Sequence, residues 1–189
     1  MRKKTTEELV QDKPAFDRFV REKKHPINVI LNNVRSLQNV GLCFRICDAL
    51  KAQKLYLTGY TGHPPLEKND PRPANIIIHA KNQIEKTAIR SVNYVPWEYQ
   101  EDVLELLANL KKKNFQIIAV EQTHGSLNYL EADYNFPLAL VFGHEREGVD
   151  NSVLRLSDFA VEIPMYGMGN SLNVATSLAI LGYELIKRT

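Results

Sequence analysis

The stretch Ile163-Pro164-Met165-Tyr166-Gly167-Met168-Gly169-Asn170-Ser171-Leu172-Asn173 leaves an apolar strand, crosses a glycine-bearing loop and opens the last helix of the chain. Pro164 has no N–H to offer a further ladder rung, so it ends the strand. Gly167 and Gly169 remove side chains where a ligand could meet the backbone, and Asn170 or Ser171 has the side-chain oxygen needed to cap the helix. Strand–loop–helix units of this kind also occur in α/β proteins with no ligand at that place. Two earlier loops of similar make-up give this one its weight, since open α/β sheets hold ligands outside the carboxyl ends of their strands. The stretch therefore reads as the floor of a cofactor pocket.

Outward from it, the chain alternates strand and helix. Leu138–Phe142 is an uninterrupted apolar run, the pattern of a parallel strand buried on both faces. A short helix over 150–156 and a strand over 159–163 follow. The final helix, 172–187, carries Val174, Leu178, Leu181 and Leu185 at heptad-like spacing, a buried stripe facing either the sheet or a partner subunit. Upstream, strands are expected over 27–31, 54–58, 92–97 and 115–120. Helices are expected over 40–50 and over 101–113, the latter with Val103, Leu104, Leu107 and Leu110 inward. The Pro-rich connection 59–73 is long for a compact domain, so it is either functional or mobile. This alternation predicts an α/β fold with a parallel sheet covered by helices on both faces.

Before residue 27 the pattern differs. Thr5 and Glu8 form a capping-box signature ahead of Leu9 and Val10, and Pro14 closes that helix and opens a second one bearing Phe16, Phe19 and Val20. Residues 1–26 are thus expected to be a short helical extension and 27–189 the main domain.

Composition narrows the classes. The 189 residues are 44% hydrophobic and 24% charged, as in soluble globular chains, and no apolar run approaches the roughly 18 residues of a membrane span. Met1-Arg2-Lys3-Lys4 leads into polar, helix-forming sequence rather than the apolar core of a secretory signal, which predicts a cytoplasmic protein. The net charge of +2 is unevenly placed: residues 1–24 hold eight Lys/Arg against five Asp/Glu, and the remainder sixteen against seventeen. That surplus is either an RNA contact or a solvated helix face. A second surplus lies within 72–90, where Arg72, Lys81, Lys86 and Arg90 face only Glu85. Cys43 and Cys47, four apart on one helix face, read as small buried hydrophobes, and the five histidines lack the spacing of a zinc set, so no metal is expected.

Three loops carry the chemistry. The first, 32–41, leads to Arg45 on the following helix. Cys43, Phe44, Ile46 and Cys47 around it suggest a partly buried guanidinium, which the carbonyl of nearby Asn39 can hold. The second is Gly143-His144-Glu145-Arg146-Glu147-Gly148-Val149. It lacks the Lys-Ser/Thr of a Walker loop and the spacing of a dinucleotide fingerprint, which disfavours a nicotinamide oxidoreductase. Its two glycines point to close backbone approach by a ligand without phosphates, with Glu145 as a positioning carboxylate. The third is 163–173.

Taken in order, Asn39-x-Gly41-x-x-x-Arg45, then Leu140-Val141-Phe142-Gly143-x-Glu145-x-x-Gly148, then Ile163-Pro164-Met165-x-Gly167 with Ser171-Leu172-Asn173-Val174 resemble the three motifs of the SpoU (TrmH-type) branch of the SPOUT RNA methyltransferases. The likeness covers residues 27 to about 186. It implies a C-terminal deep trefoil knot and a homodimer whose subunits jointly build the site. It also implies methyl transfer from S-adenosylmethionine to a ribose 2′-hydroxyl of tRNA or rRNA, without a metal. By position, Thr123, Gly143, Ile163, Met165 and Leu172 match the cofactor contacts, and Arg45, Asn39, Glu145, Ser171 and Asn173 the catalytic and site-shaping residues. On this reading Arg45, held by Asn39 and paired with an RNA phosphate, orients and helps deprotonate the hydroxyl, acting either as base or as electrostatic positioner. RNA recognition would fall to residues 1–26 and 72–90. The alternative is a non-catalytic RNA-binding homodimer of the same fold. Met168-Gly169-Asn170 is more polar than the family pattern.

Overall fold

A computed structural model describes residues 2–15, 18–19 and 22–189. Its strands are β1 (His25–Asn32), β2 (Ala52–Thr58), β3 (Trp97–Gln100), β4 (Gln116–Val120), β5 (Leu127–Asn128), β6 (Leu138–Phe142) and β7 (Phe159–Glu162). Its α-helices are α1 (Thr6–Gln11), α2 (Leu37–Ala49), α3 (Ala74–Ala88), α4 (Val103–Lys112), α5 (Asn151–Leu156) and α6 (Val174–Ile186). The strands form one sheet in the order β3-β2-β1-β6-β4-β7-β5, every pair parallel. The apolar run of β6 lies at the centre between β1 and β4, and all five of its residues are buried.

Strand alternation sends successive side chains to opposite faces, and each face has its own core. Val29, Leu31, Leu55, Leu140 and Phe142 pack with Phe44 of α2, Ile84 of α3 and Leu178, Leu181 and Leu185 of α6. On the other face Ile30, Ile117, Ala119 and Val141 meet Leu106, Leu107 and Leu110 of α4 and Val153 of α5. The stripe on α6 therefore faces the sheet and α2. Cys43 and Cys47 are buried free thiols in the first core, and burial raises the pKa of both.

Several expectations need correction. The segment read as a strand over 92–97 is a 3₁₀ turn, Ser91–Asn93, with β3 starting only at Trp97. On α4 it is Leu106, not Leu104, that is buried, and Leu104 faces out. α3 occupies most of the basic stretch 72–90, and the two-residue β5 adds an edge. α6 is capped by Asn173, whose Oδ1 accepts the Ala175 N–H at 2.8 Å, rather than by Asn170 or Ser171.

The capping box of α1 is formed in both directions: Glu8 N–H donates to Thr5 Oγ1 at 3.2 Å, and Thr5 N–H to Glu8 Oε2 at 2.7 Å. No residue of α1 is buried. Phe16 and Val20 of the expected second helix lie outside the described residues. Phe19 packs edge-on against Tyr94 with Lys51 over its ring, and Glu22 pairs with Lys51, which docks this part of the extension on the main domain.

Candidate active site

Two of the three loops singled out in the sequence, 143–149 and 163–173, meet the end of β4 at the carboxyl ends of β4, β6 and β7, and the first, 32–41, touches them through Asn39. They enclose a cleft of about 530 Å³, within the range of small-molecule sites. Three walls come from residues 120–122, 142–148 and 161–163, and the floor from 170–174 with Ser177.

The 143–149 loop owes its shape to its glycines. His144 and Gly148 exchange backbone hydrogen bonds at 3.0 and 2.9 Å, a closure so tight that a Cβ on Gly143 would lie 2.1 Å from the Gly148 carbonyl oxygen. Gly148 has φ +73°, a left-handed conformation that side chains disfavour. Inside the turn, His144 Nδ1 accepts the N–H groups of Arg146 and Glu147 at 3.1 and 3.0 Å. From β4, Glu121 accepts the Val149 N–H and the Gln122 N–H, both at 2.8 Å. The loop is thereby fixed before any ligand arrives.

Glu145 at its tip reaches across to the start of α2. Its carboxylate accepts the N–H groups of Arg35 and Ser36, each at 3.0 Å, and the Asn39 side-chain amide at 3.1 Å. Asn39 Oδ1 in turn accepts from Asn173 Nδ2 at 2.9 Å. A chain of polar contacts therefore runs from the tip of the 143–149 loop through α2 to the N-terminus of α6. Burial alone would raise the Glu145 pKa, but the donated hydrogen bonds outweigh it and hold the carboxyl below its ordinary value, so it is ionised at neutral pH. The cleft wall carries Glu121, Glu145, Glu147 and Glu162 against Arg146. This acidic lining suits a cationic ligand and opposes a phosphate-bearing one.

Of the expected residues, Gly143, Glu145, Ile163, Ser171, Leu172 and Asn173 line the cleft, and Asn39 touches two of them. Thr123 lies outside the wall, in a turn closed on Ser126, while the preceding Glu121 and Gln122 are in it. Met165 is half-buried, also outside. The expected Arg45–Asn39 pair is not formed. Both polar ends of Asn39 are engaged by Glu145 and Asn173, and Arg45 stands roughly one and two-thirds turns further along α2 on a different face. Arg45 is exposed rather than partly buried, with no hydrogen bond or ion pair among the described residues. Glu121, which lines the cleft and holds the 143–149 loop, is a site residue that sequence reasoning missed; a carboxylate immediately after the apolar run of β4 was its readable signal.

A parallel α/β sheet with an acidic cleft at the carboxyl ends of adjacent strands, in loops that lack a phosphate-binding motif, defines the class. Within it, the chain belongs to the SpoU rRNA Methylase family, whose model matches residues 26–183. It is 28% identical over 169 residues to the tRNA (guanosine(18)-2′-O)-methyltransferase of Thermus thermophilus, across 89% of this chain and 78% of that protein. Its structure superposes on that of the TrmH/SpoU tRNA modifying enzyme of A. aeolicus with a TM-score of 0.74 at 30% identity, covering 92% of this chain and 81% of the other. The same fold is seen in the SpoU methyltransferase AviRb of Streptomyces viridochromogenes in complex with the cofactor AdoMet, with a TM-score of 0.73 at 22% identity over 93% of this chain and 62% of the other.

Proposed function

We propose that this protein is an RNA 2′-O-ribose methyltransferase using S-adenosylmethionine. The observation that carries the reading is the convergence of three separate loops on one cleft, tied by the Glu145–Asn39–Asn173 chain. Backbone groups of Gly143, Ile163 and Leu172 would hold the cofactor, and the acidic lining accommodates its positive charge. Bound there, it would supply a methyl group already activated by a sulfonium. A ribose hydroxyl is a weak nucleophile, so the protein's share is to position it and ease loss of its proton. Glu145, Asn39 and Asn173 shape the rim where that hydroxyl must arrive. Arg45 provides a guanidinium free to meet an RNA phosphate or the hydroxyl itself.

The reading extends to a C-terminal trefoil knot, a homodimer with shared sites, and work in the cytoplasm on tRNA or rRNA. The N-terminal extension then ends before His25, where β1 begins, two residues short of the expected boundary at 26. Exposed Leu9 and Val10 on α1 and the basic stretch 72–90 offer further surface to RNA or a partner subunit.

The test is transfer of labelled methyl from AdoMet into total tRNA and rRNA from a strain lacking the protein, followed by ribose-methylation mapping. Label at a single ribose 2′-oxygen is expected. Tight AdoMet binding with no incorporation into any RNA would overturn the reading in favour of a binding-only relative.

A further inference from the structure

The connection 59–73 contains no helix or strand, yet a dense polar network holds it. The Arg72 guanidinium donates to Asp70 at 2.9 and 2.6 Å and to the carbonyls of His63 and Pro64 at 2.9 and 3.1 Å. His63 stacks on Tyr99 with centroids 4.2 Å apart, and the Tyr99 hydroxyl donates to the Gly59 carbonyl at 2.8 Å. Gly59 has φ +62°, and the next N–H, that of Tyr60, donates to Asn33 Oδ1 at 3.2 Å.

Gly59 and Asn33 thereby fix the backbone of Tyr60 within this ordered connection, while its side chain stays largely open. Tyr60 is 59% exposed, and its hydroxyl has no partner among the described residues. Its ring neighbour among the described residues is His144 of the cleft wall, edge to face at 6.2 Å. Tyr60 therefore stands at the rim of the cleft, over the loop that carries Glu145. Arg35 is tied to the same loop through its N–H on Glu145, and Arg146 lines the cleft itself. Both guanidinium groups are exposed and without hydrogen bonds or ion pairs among the described residues. An acidic interior with an aromatic plate and two free cations at its edge is the arrangement that an unpaired nucleotide fits: ring for the base, guanidiniums for flanking phosphates.

We infer that Tyr60 is the stacking platform for the base of the nucleotide presented to the cleft, with Arg35 and Arg146 as its phosphate contacts. The inference rests on the transferase reading and adds that the target is an unstacked nucleotide in single-stranded or loop RNA, since a base inside a duplex has no free face to stack.

The experiment measures affinity for bulk tRNA and rRNA, and methyl transfer into them, for wild type and for Tyr60→Ala, Tyr60→Phe and Tyr60→Trp. Tyr60→Ala should weaken RNA binding and raise the KM for RNA about tenfold, the size of one lost base stack, with AdoMet affinity unchanged. Tyr60→Phe should restore most of the loss, because the ring and not the hydroxyl is used. Tyr60→Trp should show emission quenched on adding RNA beyond any change at Trp97, the chain's one native tryptophan. Equal RNA affinity and KM in Tyr60→Ala and wild type, with transfer intact, would overturn the platform and leave the transferase reading standing. RNA binding that falls in Tyr60→Ala while wild type transfers no methyl would do the reverse. RNA affinity absent in wild type would overturn both.

Discussion

Glu145 shows how one residue joins distant parts of this chain. Its partners Arg35, Ser36 and Asn39 lie more than a hundred positions away, and Asn39 passes the contact to Asn173. The site residues themselves were legible as polar side chains in glycine-bearing loops after apolar strands. Their mutual contacts were not, because hydrogen bonds across such separations leave no local pattern. That is also why Arg45, close to Asn39 in sequence, looked like its partner and is not. The donated hydrogen bonds stabilise the carboxylate form, so the Glu145 pKa is depressed in the folded protein. The sign follows: this stabilisation is fully present above the ordinary carboxylate pKa and is lost as pH falls through the depressed one. Glu145→Gln should cost about 1 kcal/mol at neutral pH, the size of a lost helix cap after screening by solvent. Thermal denaturation of both proteins should show that difference shrinking towards zero as the pH is taken down through the acid range. A difference constant with pH would mean that the carboxylate charge is not what the rim of the cleft uses.

Among the elements, α2 and α3 approach most closely at Gly41. A Cβ there would lie 2.1 Å from Thr87 Oγ1 and 2.4 Å from the Ile84 carbonyl oxygen, and the second of these is backbone that cannot swing aside. The glycine of the first motif thus serves packing, bringing α2 and its Asn39 to the cleft. Gly62 offers the contrast, since its Cβ would meet only the Cδ2 end of Leu37, at 2.2 Å. Gly41→Ala should lose about 2–3 kcal/mol through overpacking, lowering Tm by roughly 5–10 °C. Gly62→Ala should lose clearly less, because a side-chain end can turn away. Equal Tm losses in the two would refute the close-approach argument.

At this scale, strands with one compositional signature were readable and mixed ones were not. β6 is all apolar and buried, and its limits were legible to the residue. β3, with Pro96 before it and half-buried aromatic residues alternating with Glu98 and Gln100, lies at the sheet edge, and buried Val95 beside it drew the expected strand too far back. α3 was unreadable because Ile76 and Ile78, which break the helical pattern of its buried Ala80, Ile84 and Ala88, are exposed at its start.

For the whole molecule, the position of Arg45 poses a question of assembly. Within one chain it lies outside the cleft that holds Glu145, Ser171 and Asn173, exposed and unpaired on α2. A guanidinium so placed can serve the chemistry only if substrate RNA bridges to it or a second subunit brings its own Arg45 to this cleft. The shared-site homodimer predicts complementation. Arg45→Ala and Asn173→Ala would each abolish most transfer as homodimers, yet in a mixed dimer one of the two sites has both residues intact. Unfolding and refolding equal amounts together should give mixed dimers as half of the population, restoring about a quarter of wild-type activity. Light scattering on the same samples should report twice the chain mass. Dimers of that mass with no recovered activity would place Arg45 at its own subunit's site, reached through bound RNA, and would remove the shared site while leaving the transferase intact.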